Sequence, residues 1–130
     1  MSKLHSILLV DDDAVTNFLN EDLLRQMKIA DSIYTTRNGA EALSFLTKNC
    51  AKKHPRECPD LVLLDISMPV MDGFEFLEEF EKMDGFEKNI HVVILSSSDD
   101  EKDIKRAKGY KISGYICKPL TEKKLLELLK

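Results

Sequence analysis

No apolar run in this 130-residue chain approaches the roughly 20 residues a membrane helix needs, so membrane insertion is not expected. Cysteine is scarce. Three residues, an odd number and widely spaced, do not read as a secreted disulfide framework. The start, Met1-Ser2-Lys3-Leu4-His5, leads into a short apolar run and then into acidic residues. A signal peptide needs a longer apolar stretch and a small-residue cleavage site, so a cytoplasmic location is the expectation. An excess of base is also lacking: 19 Lys and Arg stand against 23 Asp and Glu, a net charge of −4. Tight duplex binding draws heavily on cations against phosphates, so direct DNA binding is not expected. No internal repeat or low-complexity segment stands out. What is there is one domain's length, with 43% hydrophobic residues, enough for a core and too many for disorder.

Short apolar runs recur at Ile7–Val10, Leu61–Leu64, Val92–Leu95 and, more weakly, Tyr115–Cys117. They do not alternate with polar residues, which predicts strands buried on both faces, as in a parallel sheet covered by helices. Ser32–Thr36 is more polar and suits a sheet edge. Helical spacing lies between the runs. Val15, Phe18, Leu19, Leu23 and Met27 form one predicted core stripe; Ala42, Leu43 and Leu46 form another. Phe76, Leu77 and Phe80 follow, and Leu125, Leu128 and Leu129 come after Thr121, a predicted N-cap. Five alternations of strand and helix predict an α/β, doubly wound sandwich. Its parallel sheet has five strands in the order 2-1-3-4-5, with five helices. The helix between Asp99 and Tyr110 carries few apolar residues and should be thinly anchored.

Ligands in such sheets bind beyond the carboxyl ends of the strands. Those ends carry Asp11-Asp12-Asp13, then Asp65, then Ser96-Ser97-Ser98, and finally Lys118-Pro119. Clustered carboxylates repel one another unless a cation joins them, and oxygen ligands without thiolates select Mg²⁺ or a similar hard ion. A Lys and a Ser beside them add donors for an anion. Together these groups describe a phosphoryl-handling site. Asp13 reads as a helix N-cap rather than a ligand.

The same segments resemble the receiver domain of two-component response regulators, of the single-domain chemotaxis-regulator type. The resemblance rests on Ile7–Asp13, on Leu64-Asp65-Ile66-Ser67-Met68-Pro69-Val70-Met71-Asp72-Gly73, on Val93–Ser97, and on Gly114–Leu120. It implies a flavodoxin-like fold, with residues 5–130 as the receiver, 1–4 as a short extension and no output domain. It implies that Asp65 is phosphorylated by a sensor histidine kinase or histidine phosphotransfer protein. Asp12, Asp65 and the carbonyl of Ser67 would hold Mg²⁺, with Asp11 acting through water. Lys118 and Ser96 would act on the phosphoryl group, with the Ser97 N–H joining them. Ser96, Ser97, Tyr115 and Lys118 would form the switch, and the Lys118–Pro119 bond would be cis. A downstream protein target is implied, with Leu126 either part of that surface or simply exposed, and homodimerisation stays open. No turnover beyond self-catalysed phosphoryl acceptance and loss is expected. Ser67 and Ser98 supply no carboxylate or amide to orient water, which predicts a moderate-to-long phosphoryl lifetime.

The stretch Lys48–Asp60 reads as a long, solvated basic loop. Its Cys50, His54 and Cys58 lack a fourth ligand for tetrahedral zinc. Cys117 is expected as a small core residue and His91 as a structural one. Two rival readings remain. Asp11-x-Asp13 after a strand resembles the nucleophile motif of haloacid-dehalogenase phosphatases, with Asp11 as nucleophile. A phosphorylation-independent binding module is the other, and the complete acidic pair, acceptor, hydroxyl and lysine argue against it.

Overall fold

A computed structural model describes residues 4–50, 58–66, 68, 71–83, 90–97 and 101–129. The elements are β1 (Leu4–Val10), α1 (Ala14–Met27), β2 (Ala30–Thr36), α2 (Gly39–Cys50), β3 (Leu61–Asp65) and α3 (Gly73–Lys82). They continue through β4 (His91–Ser96), α4 (Glu101–Ala107), β5 (Gly114–Cys117) and α5 (Glu122–Leu129). All strand pairs are parallel, in the order β2-β1-β3-β4-β5. This is the doubly wound order expected from the apolar runs, and the flavodoxin-like fold that the resemblance implies.

The runs are continuous because each strand feeds two cores. Leu8, Val10, Val62, Leu64, Val92 and Ile94 face one core, which includes Phe76 and Leu77. Ile7, Leu9, Leu61, Leu63, Val93 and Leu95 face the other, with Leu24 and Leu125. The period-two alternation of side chains therefore sorts buried residues between two helical layers rather than between core and water. Polar β2 lies at the edge, where only its Ile33 and Thr36 are buried.

Helix starts follow local chemistry. Asp13 caps α1 by accepting from the Val15 N–H at 3.0 Å and the Thr16 hydroxyl at 2.9 Å. Asp72 and Glu75 form a reciprocal capping box at α3. Thr121 Oγ1 accepts from the Lys124 N–H at 3.2 Å, the predicted N-cap of α5.

Three expectations need correction. The α1 stripe is turned the other way: Val15, Phe18 and Leu19 are 64%, 69% and 58% exposed, while Asn17, Asn20 and Leu24 are buried. Leu23 and Met27 remain half-buried against the core. Asn17 turns the helix inward because its amide donates to the carbonyls of Asp11 and Thr36, at 2.9 and 3.3 Å. That bridges the tips of β1 and β2, and it satisfies carbonyls that burial would otherwise leave costly.

The second correction concerns Lys48–Asp60. Helix α2 continues through Cys50, with Asn49 and Cys50 buried, and Cys58 and Pro59, just ahead of β3, are buried as well. Cys50 and Cys58 are disulfide-bonded, with Cα atoms 4.7 Å apart. Their sulfurs are thus spent on each other rather than on zinc. His54 lies outside the described residues. The third is Cys117, which is exposed and carries a free thiol because it occupies an outward position of β5.

Helix α4 is short, and Ala107 is its one buried residue among those described. Its anchorage is partly aromatic. The Arg106 guanidinium sits 4.1 Å above the Phe74 ring, and Tyr110 stacks on the same ring at 6.0 Å. The Tyr110 hydroxyl donates to Glu78 Oε1 at 3.0 Å. Such a contact contributes on the order of 1 kcal/mol, less than a buried apolar stripe.

Candidate functional site

The site lies at the carboxyl ends of β1, β3, β4 and β5. Register sets it: Val10 pairs with Leu64, Asp65 with Leu95, and Ser96 with Cys117. The residue after each pairing therefore emerges on the same edge. The backbone locks these tips together. The Asp11 N–H donates to the Thr36 carbonyl at 3.1 Å, and the Lys118 N–H to the Ser96 carbonyl at 2.7 Å. Lys118–Pro119 is cis. The Gly73 N–H donates to the Ile66 carbonyl at 3.1 Å. A Cβ on Gly73 would lie 2.6 Å from Ile66 Cα, so only glycine lets α3 start this close behind Asp65.

Asp11, Asp65 and Ser96 are buried, and Asp12 is exposed. One carboxylate oxygen from each of Asp11, Asp12 and Asp65 falls within 4.8 Å of the other two. Lys118 enters this cluster from β5. Its ammonium donates to Asp11 Oδ2 at 2.8 Å and lies 3.6 Å from Asp65 Oδ1. Asp11 Oδ1 also accepts from the Asp13 N–H at 3.0 Å. Burial works against the Lys118 charge, but the Asp11 hydrogen bond and the fields of Asp65 and Asp11 outweigh it. Its pKa is held above the ordinary value.

Hard oxygen donors that are mostly buried and share one lysine make a poor hydrophobic site and a good one for a hard divalent cation. The residues present fit Mg²⁺. Ser67, expected to add a carbonyl, lies outside the described residues, as does Ser98.

Beside the cluster is a polar cleft of about 390 Å³, lined by Met68, Phe74, Ser96, Ser97, Asp103 and Arg106, among others. Of these, Ser96 is buried and Ser97 is exposed. Tyr115 is half-buried on β5, paired with Ile94 and packed on the first core. Leu126 is half-buried on α5 and lines a separate surface hollow. His91 is exposed, its Nδ1 2.9 Å from Ser113 Oγ, at the start of β4 and away from the cluster.

Sequence reasoning missed Asn17, Asp103 and Arg106. Asn17 follows Asp11 by six residues, a spacing that carries no motif, and its role comes from a bond to β2. Arg106 reads as one of several surface cations until α4 is folded against α3.

Among the described residues no helix is long and apolar enough to cross a membrane. A family model described as the response regulator receiver domain matches residues 7–130. The chain is 32% identical over 124 residues to "Chemotaxis protein CheY" of Halobacterium salinarum, covering 95% of this chain and 92% of that protein. It is 31% identical over 124 residues to "Response regulator Rcp1" of Synechocystis, covering 95% and 82%. A crystal structure of a two-component response regulator from Cytophaga hutchinsonii superposes with a TM-score of 0.86 at 31% identity, covering 98% of this chain and 96% of the other. With the strand order, the acidic triad and the Lys118 bridge already in place, these matches show that the chain belongs to the response regulator receiver domain family.

Proposed function

We propose that this domain is an aspartyl phosphoacceptor switch in a histidine–aspartate phosphorelay, with Asp65 as the acceptor. The carrying observation is Lys118 placed between Asp11 and Asp65 at the mouth of a three-carboxylate cluster. An oxygen of Asp65 attacks the phosphorus of a phosphohistidine in a kinase or phosphotransfer protein. The P–N bond breaks, its electron pair returns to the imidazole, and an acyl phosphate forms on Asp65. Mg²⁺, when bound, would offset charge on the phosphoryl oxygens. Asp12, Asp65 and the Ser67 carbonyl would hold it, with Asp11 acting through water. Lys118 pairs with a phosphoryl oxygen once the acceptor's charge has moved outward. Turnover of a separate substrate is not part of this reading.

The Ser96 hydroxyl and Ser97 N–H then bind the phosphoryl group. Drawing Ser96 inward opens space for Tyr115 and biases α4, whose few buried contacts make it the easiest element to move. A downstream protein reads α4, β5 and α5. The donor docks over Val15, Phe18 and Leu19. These follow the Asp13 cap, within about two helical turns of the acidic tip, and present apolar area that has no core to fill.

Intact-protein mass spectrometry after incubation with acetyl phosphate tests the reading, with and without Mg²⁺, on wild type and Asp65→Asn. A single phosphate gained with Mg²⁺ and lost in the variant is expected. A gain retained in Asp65→Asn moves the acceptor to another aspartate, such as Asp11 in the phosphatase-like alternative.

A further inference from the structure

We propose that Cys50 and Cys58 are a reversible thiol–disulfide couple that makes the folded domain more stable under oxidising than under reducing conditions. The inference stands apart from the phosphoacceptor reading. Cys58 lies three residues before β3 and Asp65 at its far end, so the couple and the acceptor occupy opposite ends of one strand.

Four observations carry it. The half-cystines lie on different elements, one closing α2 and the other leading into β3, yet their Cα atoms are 4.7 Å apart, inside the range a disulfide requires. Both are fully buried in the core that holds Leu46, Val62 and Phe76, so the fold brings the two sulfurs together and keeps water from them. Cys58 is fixed independently, because its carbonyl accepts from the buried Ser6 hydroxyl on β1 at 3.3 Å. The third cysteine, Cys117, is exposed and unbonded, so it competes for oxidant without being able to substitute for either partner.

The oxidant class is a small disulfide such as oxidised glutathione. The thiolate of one cysteine attacks it, forms a mixed disulfide and releases one reduced glutathione. The second cysteine, as thiolate, attacks the protein sulfur of that mixed disulfide and expels the second glutathione. Two protein thiols are oxidised and one glutathione disulfide is reduced to two thiols, the two protons being taken up by the leaving thiolates. Both sulfurs are buried, so exchange requires the α2 end to open. Closing the loop restricts the unfolded chain, which is the source of the added stability.

The test uses the whole chain with Cys117→Ser, equilibrated in reduced or oxidised glutathione, then unfolded and treated with N-ethylmaleimide. Two additions in the reduced sample and none in the oxidised sample are expected, with a Cys50–Cys58 linked peptide after proteolysis. The oxidised form should melt roughly 5–10 °C higher. A Cys50→Ala/Cys58→Ala variant should show no redox dependence of melting. Two additions after oxidation, glutathione adducts without a linked peptide, or equal melting temperatures would overturn the proposal. Wild type supplies a second check: a linked peptide containing Cys117 would also overturn it. Acetyl phosphate uptake should agree within twofold between redox forms, whatever the outcome of the Asp65 experiment in absolute terms.

Discussion

Lys118 donates to Asp11 at 2.8 Å and stands farther from Asp65, at 3.6 Å. The lysine thus offsets one of the pair's two negative charges, and its closer contact is with Asp11. In the function proposed above, a cation in the triad or a phosphoryl group on Asp65 would compete for this bond.

Removing the lysine should therefore hurt twice. Lys118→Ala leaves two buried carboxylates facing each other, a change expected to destabilise the metal-free fold by about 1–3 kcal/mol. Added Mg²⁺ should restore more of the variant's melting temperature than it adds to wild type, and acetyl phosphate uptake should slow roughly 100-fold. Uptake at the wild-type rate would remove Lys118 from the proposed chemistry.

The exposed face of α1 gives a separable prediction. Phe18→Asp replaces a solvent-facing ring, so stability should change by no more than about 0.5 kcal/mol. Acetyl phosphate, which needs no docking, should still load Asp65 normally. Transfer from a phosphohistidine protein should slow tenfold or more, as for loss of an interface anchor. Equal slowing with both donors would place the effect in the site rather than on the surface.

The Asp13 cap has a pH signature. Its carboxyl is held below the ordinary 3.8 by the Thr16 hydroxyl first and by the Val15 N–H second. Because the folded-state value is the lower one, the stabilisation is fully present above the unfolded value and is lost as pH falls through the folded one. Asp13→Ala should melt below wild type at about pH 6, and the gap should close by about pH 2. A gap that is constant across acid titration would mean that the charge of Asp13 contributes nothing.

Gly73→Ala should cost about 1–3 kcal/mol in chemical denaturation, since the added methyl meets the Ile66 backbone at 2.6 Å and backbone cannot swing aside. Phosphoryl uptake should fall as well, because the displaced chain carries Asp65. A neutral result in both measurements would show that α3 can retreat from β3 freely.

Much of this protein was legible in its sequence. Continuous apolar runs such as Leu61–Leu64 and Val92–Leu95 meant strands covered on both sides, and crossover handedness, the short chain and the family resemblance favoured the strand order seen. Polar residues at the ends of those runs marked the site, because parallel register aligns strand ends in space. Tertiary structure alone decided the rest. Hydrophobic spacing put Val15, Phe18 and Leu19 inward, but the Asn17 amide can satisfy two strand-tip carbonyls, and burying it rotates the helix. Spacing also placed Cys50 and Cys58 in one solvated loop with a weak zinc reading, since how far α2 extends and where β3 begins in space determine whether two sulfurs meet. The preference of Lys118 for Asp11 over Asp65 is of the same kind. A local pattern records which residues are apolar and where turns fall, while a partner 107 positions away becomes a neighbour only once the sheet has closed its register.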